Sequence, residues 1–249
     1  MSEAADVSEP WLLVCDIDDT LTGNSEALRK LWQALKERRN TLSLALNSSR
    51  PWQSVDETIS TYFPEDFEPE AVITGLGTEI RVRGAWLDSW QQQFKEWPDQ
   101  RVRKLVTDMG YAAHSSAFQT SGKASFEVAG KDAVHSVLNA LTDQGIPFRS
   151  VYSGKSDLDI LAPGGGKDTA MMHLADILEI APSRTIAAGD SGNDLALFTA
   201  AARAIAVGNA RSELIAAMPR EKTYHATACH AAGVMEGLIE FGLLTDEEC

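Results

Sequence analysis

Trp11-Leu12-Leu13-Val14-Cys15-Asp16-Ile17-Asp18-Asp19-Thr20 is the stretch that decides the fold. Five apolar residues in unbroken succession, with no polar alternation, are what a strand covered on both faces requires. The run stops at a turn rich in carboxylates. In an open α/β sheet the ligand crevice lies beyond the carboxyl ends of the strands, so Asp16 and Asp18 stand where a strand delivers side chains to such a crevice. Two carboxylates this close repel unless a cation neutralises them or one holds a proton. A ligand set made only of oxygen selects a hard ion such as Mg2+. Turn propensity also places aspartate after strands, so these five residues leave both a metal-binding crevice and an ordinary turn open.

Outward from this point the pattern repeats. Leu28, Leu31, Trp32 and Leu35 fall at i, i+3, i+4 and i+7, the spacing of an amphipathic helix, with Asn24 or Ser25 as its cap. Residues 41–46 form a second apolar strand ahead of a loop at 47–51, and residues 71–74 a third, ended by Gly75 and Gly77. Residues 185–188 and 204–207 repeat the type, with a helical stretch around 195–202 between them. Strands alternating with helices predict an α/β fold, a Rossmann-like parallel sheet with helices on both faces. The middle of the chain differs. From about Ile80 to Ile160 the strands alternate polar and apolar residues, as in Ser125-Phe126-Glu127-Val128, and three tryptophans (Trp86, Trp90, Trp97) open the region. One helix carries Val102, Leu105, Val106 and Met109, another Val134, Val137, Leu138 and Leu141. The expectation is a discontinuous core domain, residues 1–80 and 162–249, with an α+β cap domain inserted over 81–161.

Composition narrows the function. The 249 residues carry a formal net charge of −14, which repels phosphodiester backbones and argues against nucleic-acid binding. A small phosphorylated substrate remains open if a metal ion or a local cation offsets that field. Cys15, Cys229 and Cys249 are isolated, with no disulfide framework or zinc spacing, and fit a reducing cytoplasm. Met1 to Pro10 is acidic and polar, a frayed start and not a signal peptide. No apolar run approaches the ~18 residues of a membrane span. The chain is expected to be a cytoplasmic monomer without membrane contact.

Gly189-Asp190-Ser191-Gly192-Asn193-Asp194 follows the strand at 185–188. Its four defining residues, at average usage of about 5 % each, recur by chance in roughly one chain of this length in 600. Asp190 and Asp194 are at i, i+4, so a helix starting here turns both carboxylates to one side, where they complete the oxygen cage begun by Asp16.

These two runs, D-x-D-x-T after the first strand and G-D-x-x-N-D after a later one, resemble the first and last motifs of the haloacid-dehalogenase-like hydrolases, in the type with a large inserted cap. Within that superfamily Asp16 to Thr20, Gly77-Thr78-Glu79-Ile80, Ser153-Gly154-Lys155 and Gly189 to Asp194 are similar, in order, to the motifs of the sucrose-phosphate phosphatase group. The resemblance implies Mg2+-dependent hydrolysis of a sugar phosphate, a disaccharide phosphate such as sucrose 6-phosphate or mannosylfructose phosphate, and a place in sucrose metabolism. It implies that Asp16 is the nucleophile, forming an aspartyl-phosphate, and that Asp18 is the general acid and base. Asp16, the backbone carbonyl of Asp18, and Asp190 would hold the metal, with Asp194 as ligand or support. Ser48, at the end of the second strand, would hydrogen-bond a phosphoryl oxygen, with helix N-capping as its ordinary alternative. The group's Thr-Gly-Arg here reads Ser48-Ser49-Arg50, which assigns Ser49 and Arg50 to the substrate. Lys167 would neutralise charge on the phosphoryl oxygens. Glu79, at the mouth of the core, and Gly154, Lys155 and Asp157, in a polar cluster beside the return crossing, would meet the sugar, and Asn193 the substrate as well.

Three rival motifs fail on spacing. A P-loop reading of Gly164 to Thr169 needs glycine at position 161, which is Leu161, and Ser or Thr after Lys167, which is Asp168. A cysteine phosphatase needs arginine six places after Cys15, where Leu21 stands, and Cys15 reads as a buried strand residue. His225 and His230 lack a third zinc ligand at a suitable spacing. Two alternatives to hydrolysis stand beside it: a phosphomutase or phosphotransferase passing the phosphoryl group to a second sugar, and a sugar-phosphate-binding module without catalysis.

Overall fold

Two β-sheets organise the chain, which the computed structural model describes over residues 9–245. The frayed start expected for Met1 to Pro10 falls mostly outside the described residues, as does Cys249. The larger sheet is built on strands β1 (Trp11–Cys15), β2 (Leu42–Asn47) and β3 (Ala71–Thr74), which are parallel and in chain order. An antiparallel hairpin, β4 (Glu79–Val82) and β5 (Ala85–Trp86), extends it on one side. The smaller sheet contains β6 (Ala112–Ala113), β7 (Lys123–Glu127), β8 (Arg149–Ser153) and β9 (Asp157–Leu161), all antiparallel, in the order β6-β7-β9-β8. The chain then returns to the first sheet with β10 (Thr185–Gly189), β11 (Arg203–Ala206) and β12 (Thr223–His225), giving the order β12-β11-β10-β1-β2-β3-β4-β5.

β1 is central, and all five of its residues are buried. Successive side chains alternate between faces. Trp11, Leu13 and Cys15 join the layer of α1 (Ser25–Glu37), while Leu12 and Val14 join the opposite layer. Helix α1 begins where the sequence supplies a cap: Asn24 Oδ1 accepts from the Ala27 amide at 3.1 Å, and Leu28, Leu31, Trp32 and Leu35 are buried. α2 (Trp52–Tyr62) follows β2. In the smaller sheet, α4 (Asp99–Asp108) and α5 (Lys131–Asp143) bury Val102, Val106, Val137 and Leu141 in one cluster with Ala124, Phe126, Leu158 and Ile160. The other face of that sheet carries Lys123, Ser125 and Asp159.

Two sequence expectations change. The boundary near residue 81 is overrun, because β4 and β5 pair into the larger sheet and the chain leaves it only after Trp86. The alternation of Glu79-Ile80-Arg81-Val82 signals a half-exposed hairpin at a sheet edge, not a separate module. The turn itself takes two left-handed residues, Arg83 and Gly84. The polar cluster at Ser153 to Asp157 lies away from the return crossing. Arg149 pairs with Leu161 beside the crossing, and Ser153 pairs with Asp157 at the far end of the hairpin. Four extended steps separate the two ends, about 14 Å at about 3.4 Å per residue.

The region spanning 87–161 is fastened to the larger sheet by side chains that seek main-chain oxygens. Trp90, on α3 (Asp88–Gln92), donates through Nε1 to the Gly77 carbonyl at 3.1 Å. Arg149 donates to the Gly165 carbonyl at 2.8 Å, and Lys123 to the Ser49 carbonyl at 2.9 Å. The loop after β3 also packs closely on the backbone at Gly166, because Gly77, at φ +84°, carries no side chain. A Cβ there would lie 2.1 Å from the Gly166 carbonyl oxygen. A separate cavity of about 660 Å3, lined by Trp32, Leu44, Trp52, Val72 and Arg81, opens towards the amino ends of β2 and β3. It is at the opposite end of those strands from Asp16.

Candidate active site

The carboxyl ends of β1, β2 and β10 converge because the strands are parallel neighbours in register, with Cys15 opposite both Leu46 and Ala188. Asp16 therefore emerges one residue beyond β1, Ser48 one residue beyond Asn47 at the end of β2, and Asp190 follows β10. α6 (Lys167–Ile177) contributes Lys167 from its first position. The Asn47 amide donates to the Lys167 carbonyl at 3.1 Å and ties that helix to β2.

Lys167 is 1 % exposed and lies between two carboxylates, 2.5 Å from Asp16 Oδ1 and 2.7 Å from Asp194 Oδ1. Asp194 is completely buried, and its Oδ2 accepts the backbone amides of Asp190 at 3.1 Å and Ser191 at 3.2 Å. Gly189 makes room for it, since a Cβ there would come within 2.6 Å of the Asp194 carboxylate. Asp190 receives the Thr20 hydroxyl at 3.4 Å and faces Arg211 Nε at 3.5 Å. Carboxylate oxygens of Asp16, Asp190 and Asp194 all lie within 4.8 Å of one another.

The electrostatics follow from burial. Loss of water holds the Asp16 carboxyl above the usual carboxylate range, with Asp194 and Asp190 adding to the effect and Lys167 opposing it. Asp190 is pushed up to about 6 by burial and by Asp194, against Arg211. Burial works against the Lys167 charge, but Asp16 and Asp194 outweigh it and hold that group above its ordinary value. Three buried carboxylates against one buried ammonium leave an excess of negative charge, the condition a divalent cation relieves. The donor set is entirely oxygen, as a hard ion requires. Asp194 has both oxygens engaged in short hydrogen bonds, whereas Asp16 is held through Oδ1 alone among the described residues and the Asp190 oxygens have only the long contacts to Thr20 and Arg211, so Asp16 and Asp190 are the better disposed to hold an ion.

The other residues singled out by the sequence sort by position. The Asp18 side chain is outside the cluster: it is half exposed and pairs with Arg50 Nε at 2.7 Å. Arg50 is held from behind by Ser54 Oγ at 2.9 Å and Thr58 Oγ1 at 3.0 Å, both on α2. Ser48 is 1 % exposed and its Oγ accepts the Arg50 amide at 3.2 Å; α2 starts from Pro51, so Ser48 is not its cap. Glu79 accepts the Thr74 hydroxyl at 2.8 Å, at the same sheet end as Asp16. Asn193 carries a buried Oδ1 with no hydrogen-bond partner among the described residues. Gly154, Lys155 and Asp157 are at the far end of β8 and β9; Asp157 faces His114 at 3.2 Å, and the Lys155 carbonyl accepts the Tyr152 hydroxyl at 2.5 Å. Cys15 is fully buried and its thiol is pushed well up by burial and by Asp16 and Asp194, so it does not compete as a nucleophile.

Three participants escaped the sequence reading. Arg211 faces both Asp190 and Asp19, Asn209 donates to the Asp19 carbonyl at 2.7 Å, and Lys123 reaches Ser49 from the smaller sheet. No local pattern marks them, since their partners are remote in sequence. The left-handed backbone of Asp19, at φ +58°, is the point that Arg211 and Asn209 brace.

Residues 9–242 match the family model described as sucrose-6F-phosphate phosphohydrolase. The mannosylfructose-phosphate phosphatase of Agrobacterium fabrum is 30 % identical over 244 residues, which cover 93 % of this chain and 97 % of that one. Sucrose-phosphatase 1 of Nicotiana tabacum is also 30 % identical, over 93 % of this chain; the match spans 59 % of that longer relative. Among solved structures, the sucrose-phosphatase from Synechocystis in complex with sucrose and phosphate superposes with a TM-score of 0.84 at 28 % identity, covering 94 % of this chain and 98 % of that one.

Proposed function

Since the chain belongs to the sucrose-6F-phosphate phosphohydrolase family, and is thereby a phosphoric monoester hydrolase acting on a sugar phosphate, we propose that its substrate is a disaccharide phosphate and that the phosphoryl group passes through Asp16. In this reading Asp16 Oδ attacks phosphorus and the ester P–O bond breaks, leaving an aspartyl-phosphate. Asp18 gives its proton to the departing sugar alkoxide, then takes one from the water that attacks the intermediate and releases phosphate. The ion pair with Arg50 holds the Asp18 carboxyl at the edge of the crevice, outside the crowded aspartate cluster. Lys167 stays charged between its two carboxylates and neutralises charge on the phosphoryl oxygens. The Ser48 hydroxyl donates to one of those oxygens.

Asp16, Asp190 and the Asp18 carbonyl would hold Mg2+, with Asp194 fixing Lys167 and the Asp190 backbone from behind. The ion supplies charge neutralisation beside the phosphoryl group. Ser49, Glu79 and Asn193 are assigned to the substrate. The cap formed by 87–161 selects the sugar, with Gly154, Lys155 and Asp157 at its rim. A multi-hydroxyl ligand suits such a polar rim, because each buried group left unpaired penalises the wrong sugar.

The observation that carries this reading is the buried Lys167 bridging Asp16 and Asp194 beside Asp190, at strand ends that converge on one crevice. The test is phosphate release from a panel of phosphorylated mono- and disaccharides, with Mg2+ and with EDTA. Turnover of a disaccharide phosphate, abolished by EDTA and by Asp16→Asn in a folded protein, is the expected result. Unchanged turnover in Asp16→Asn refutes the assignment of Asp16.

A further inference from the structure

Lys123 is the first residue of β7 on the cap, yet it is only 2 % exposed, an unusual place for a lysine. Its Nζ donates to the Ser49 carbonyl at 2.9 Å. Asp159, itself held by the Ser125 hydroxyl, stands 3.6 Å away and offsets the charge. Ser49 adjoins Ser48, so a cap residue grips the loop that ends β2.

The Ser49 carbonyl and the Arg50 amide are two ends of one peptide unit. A charged donor on the carbonyl polarises that unit and strengthens its N–H as a donor. The Arg50 N–H donates to Ser48 Oγ at 3.2 Å. A hydroxyl that accepts in this direction must turn its own proton elsewhere. The backbone around it is already fixed, because the Ser48 amide donates to the Ile73 carbonyl at 2.9 Å and the Ser48 carbonyl accepts from Leu76 at 3.1 Å. The freedom left is rotation of the hydroxyl, and the chain of bonds from Lys123 settles it.

Resting on the phosphatase reading above, we infer that Lys123 is a positioning residue for phosphoryl transfer: through the peptide joining Ser49 to Arg50 it orients the Ser48 hydroxyl as a donor into the crevice. The cap thereby acts on the chemical step itself as well as on the choice of sugar. Chemistry on a substrate with no sugar depends on Lys123 as much as chemistry on a disaccharide phosphate does.

The experiment compares Lys123→Met with the unmodified full chain on p-nitrophenyl phosphate and on the disaccharide phosphate it hydrolyses, alone and combined with Ser48→Ala. One polarised hydrogen bond lost from the transition state corresponds to about a tenfold fall in kcat. The fall should be the same for both substrates, with little change in KM for p-nitrophenyl phosphate. In the Ser48→Ala background Lys123→Met should change kcat less than about twofold, because the group it acts through is gone. A fall confined to the disaccharide phosphate makes Lys123 a sugar contact and overturns the inference. So does a full tenfold effect on top of Ser48→Ala, or no effect on kcat at all. Should Lys123→Met not fold, Lys123→Met with Asp159→Asn, which leaves no stranded charge, is measured against Asp159→Asn alone. If the unmodified chain releases phosphate from neither substrate, the phosphatase reading fails instead, and the two failures are distinct.

Discussion

Replacing Lys167 by methionine separates the structural work of that residue from its chemistry. Methionine has nearly the same reach, so the substitution removes charge without opening a large cavity. It deletes two charge-assisted hydrogen bonds, at 2.5 and 2.7 Å, from a site that is 1 % exposed. Removing one partner from a buried ion pair costs about 3–5 kcal/mol, because the partner left behind is an uncompensated charge. Here two carboxylates lose their counter-ion with Asp190 nearby. Uptake of a proton by the cluster limits the damage, so the expected loss is about 3 kcal/mol, a large share of the ~5–15 kcal/mol that keeps a domain folded. Urea unfolding followed by tryptophan fluorescence in EDTA at pH 7 measures it. Excess Mg2+ should then recover more stability in Lys167→Met than in the unmodified chain, since the ion replaces the missing positive charge. Turnover should stay down by about a hundredfold or more even with Mg2+, because no cation then faces the phosphoryl oxygens from α6. Stability within about 0.5 kcal/mol of the unmodified chain in EDTA would refute the account of Lys167 as the internal counter-ion.

Gly189→Ala should lower both stability, by about 1–3 kcal/mol, and kcat, because the new methyl meets an Asp194 carboxylate that three donors hold in place; equal denaturation midpoints would contradict this. Asn24→Ala removes the cap of α1 and should cost about 1 kcal/mol with no change in KM, as read by thermal unfolding and kinetics. Glu236 supplies a pH test. Burial works against its charge, but the Thr227 and Ala228 amides and the Tyr224 hydroxyl outweigh that and hold its carboxyl below the usual range. The stability it contributes is present above its ordinary value of 4.5 and is lost as pH falls through the lower value in the folded state. The gap between the unmodified chain and Glu236→Gln should therefore be constant from pH 7 to about pH 5 and close below about pH 4.5; a gap that widens on acidification would contradict it.

Local chemistry was legible in the sequence where it is also local in the structure. The run from Trp11 to Cys15 needed no partner to be read as a buried strand, and Gly189 to Asp194 form their own loop, with Asp194 folding back on the amides of Asp190 and Ser191. Asp16 and Asp190 were placed together because parallel strands end at one edge, a topological rule that spacing alone can invoke. The residue-81 boundary failed for a different reason: alternation reports one exposed face and is silent about which sheet the strand joins. The far end of the β8–β9 hairpin was misplaced because nearness in sequence is not nearness in space when the chain is extended. Lys123 and the contact of Arg211 with Asp19 were invisible because the partners are 74 and 192 residues away, and nothing in either neighbourhood marks a contact at that range.

Trp90, Arg149 and Lys123 each hold a carbonyl oxygen, of Gly77, Gly165 and Ser49. A carbonyl is present whatever residue carries it. The accepting atom of each contact thus survives a change of side chain, although Gly77 must stay glycine for its own approach to Gly166, and the donating half is free to drift. On the proposed reading, side chains that face the sugar can change while these three contacts keep residues 87–161 docked in the same pose.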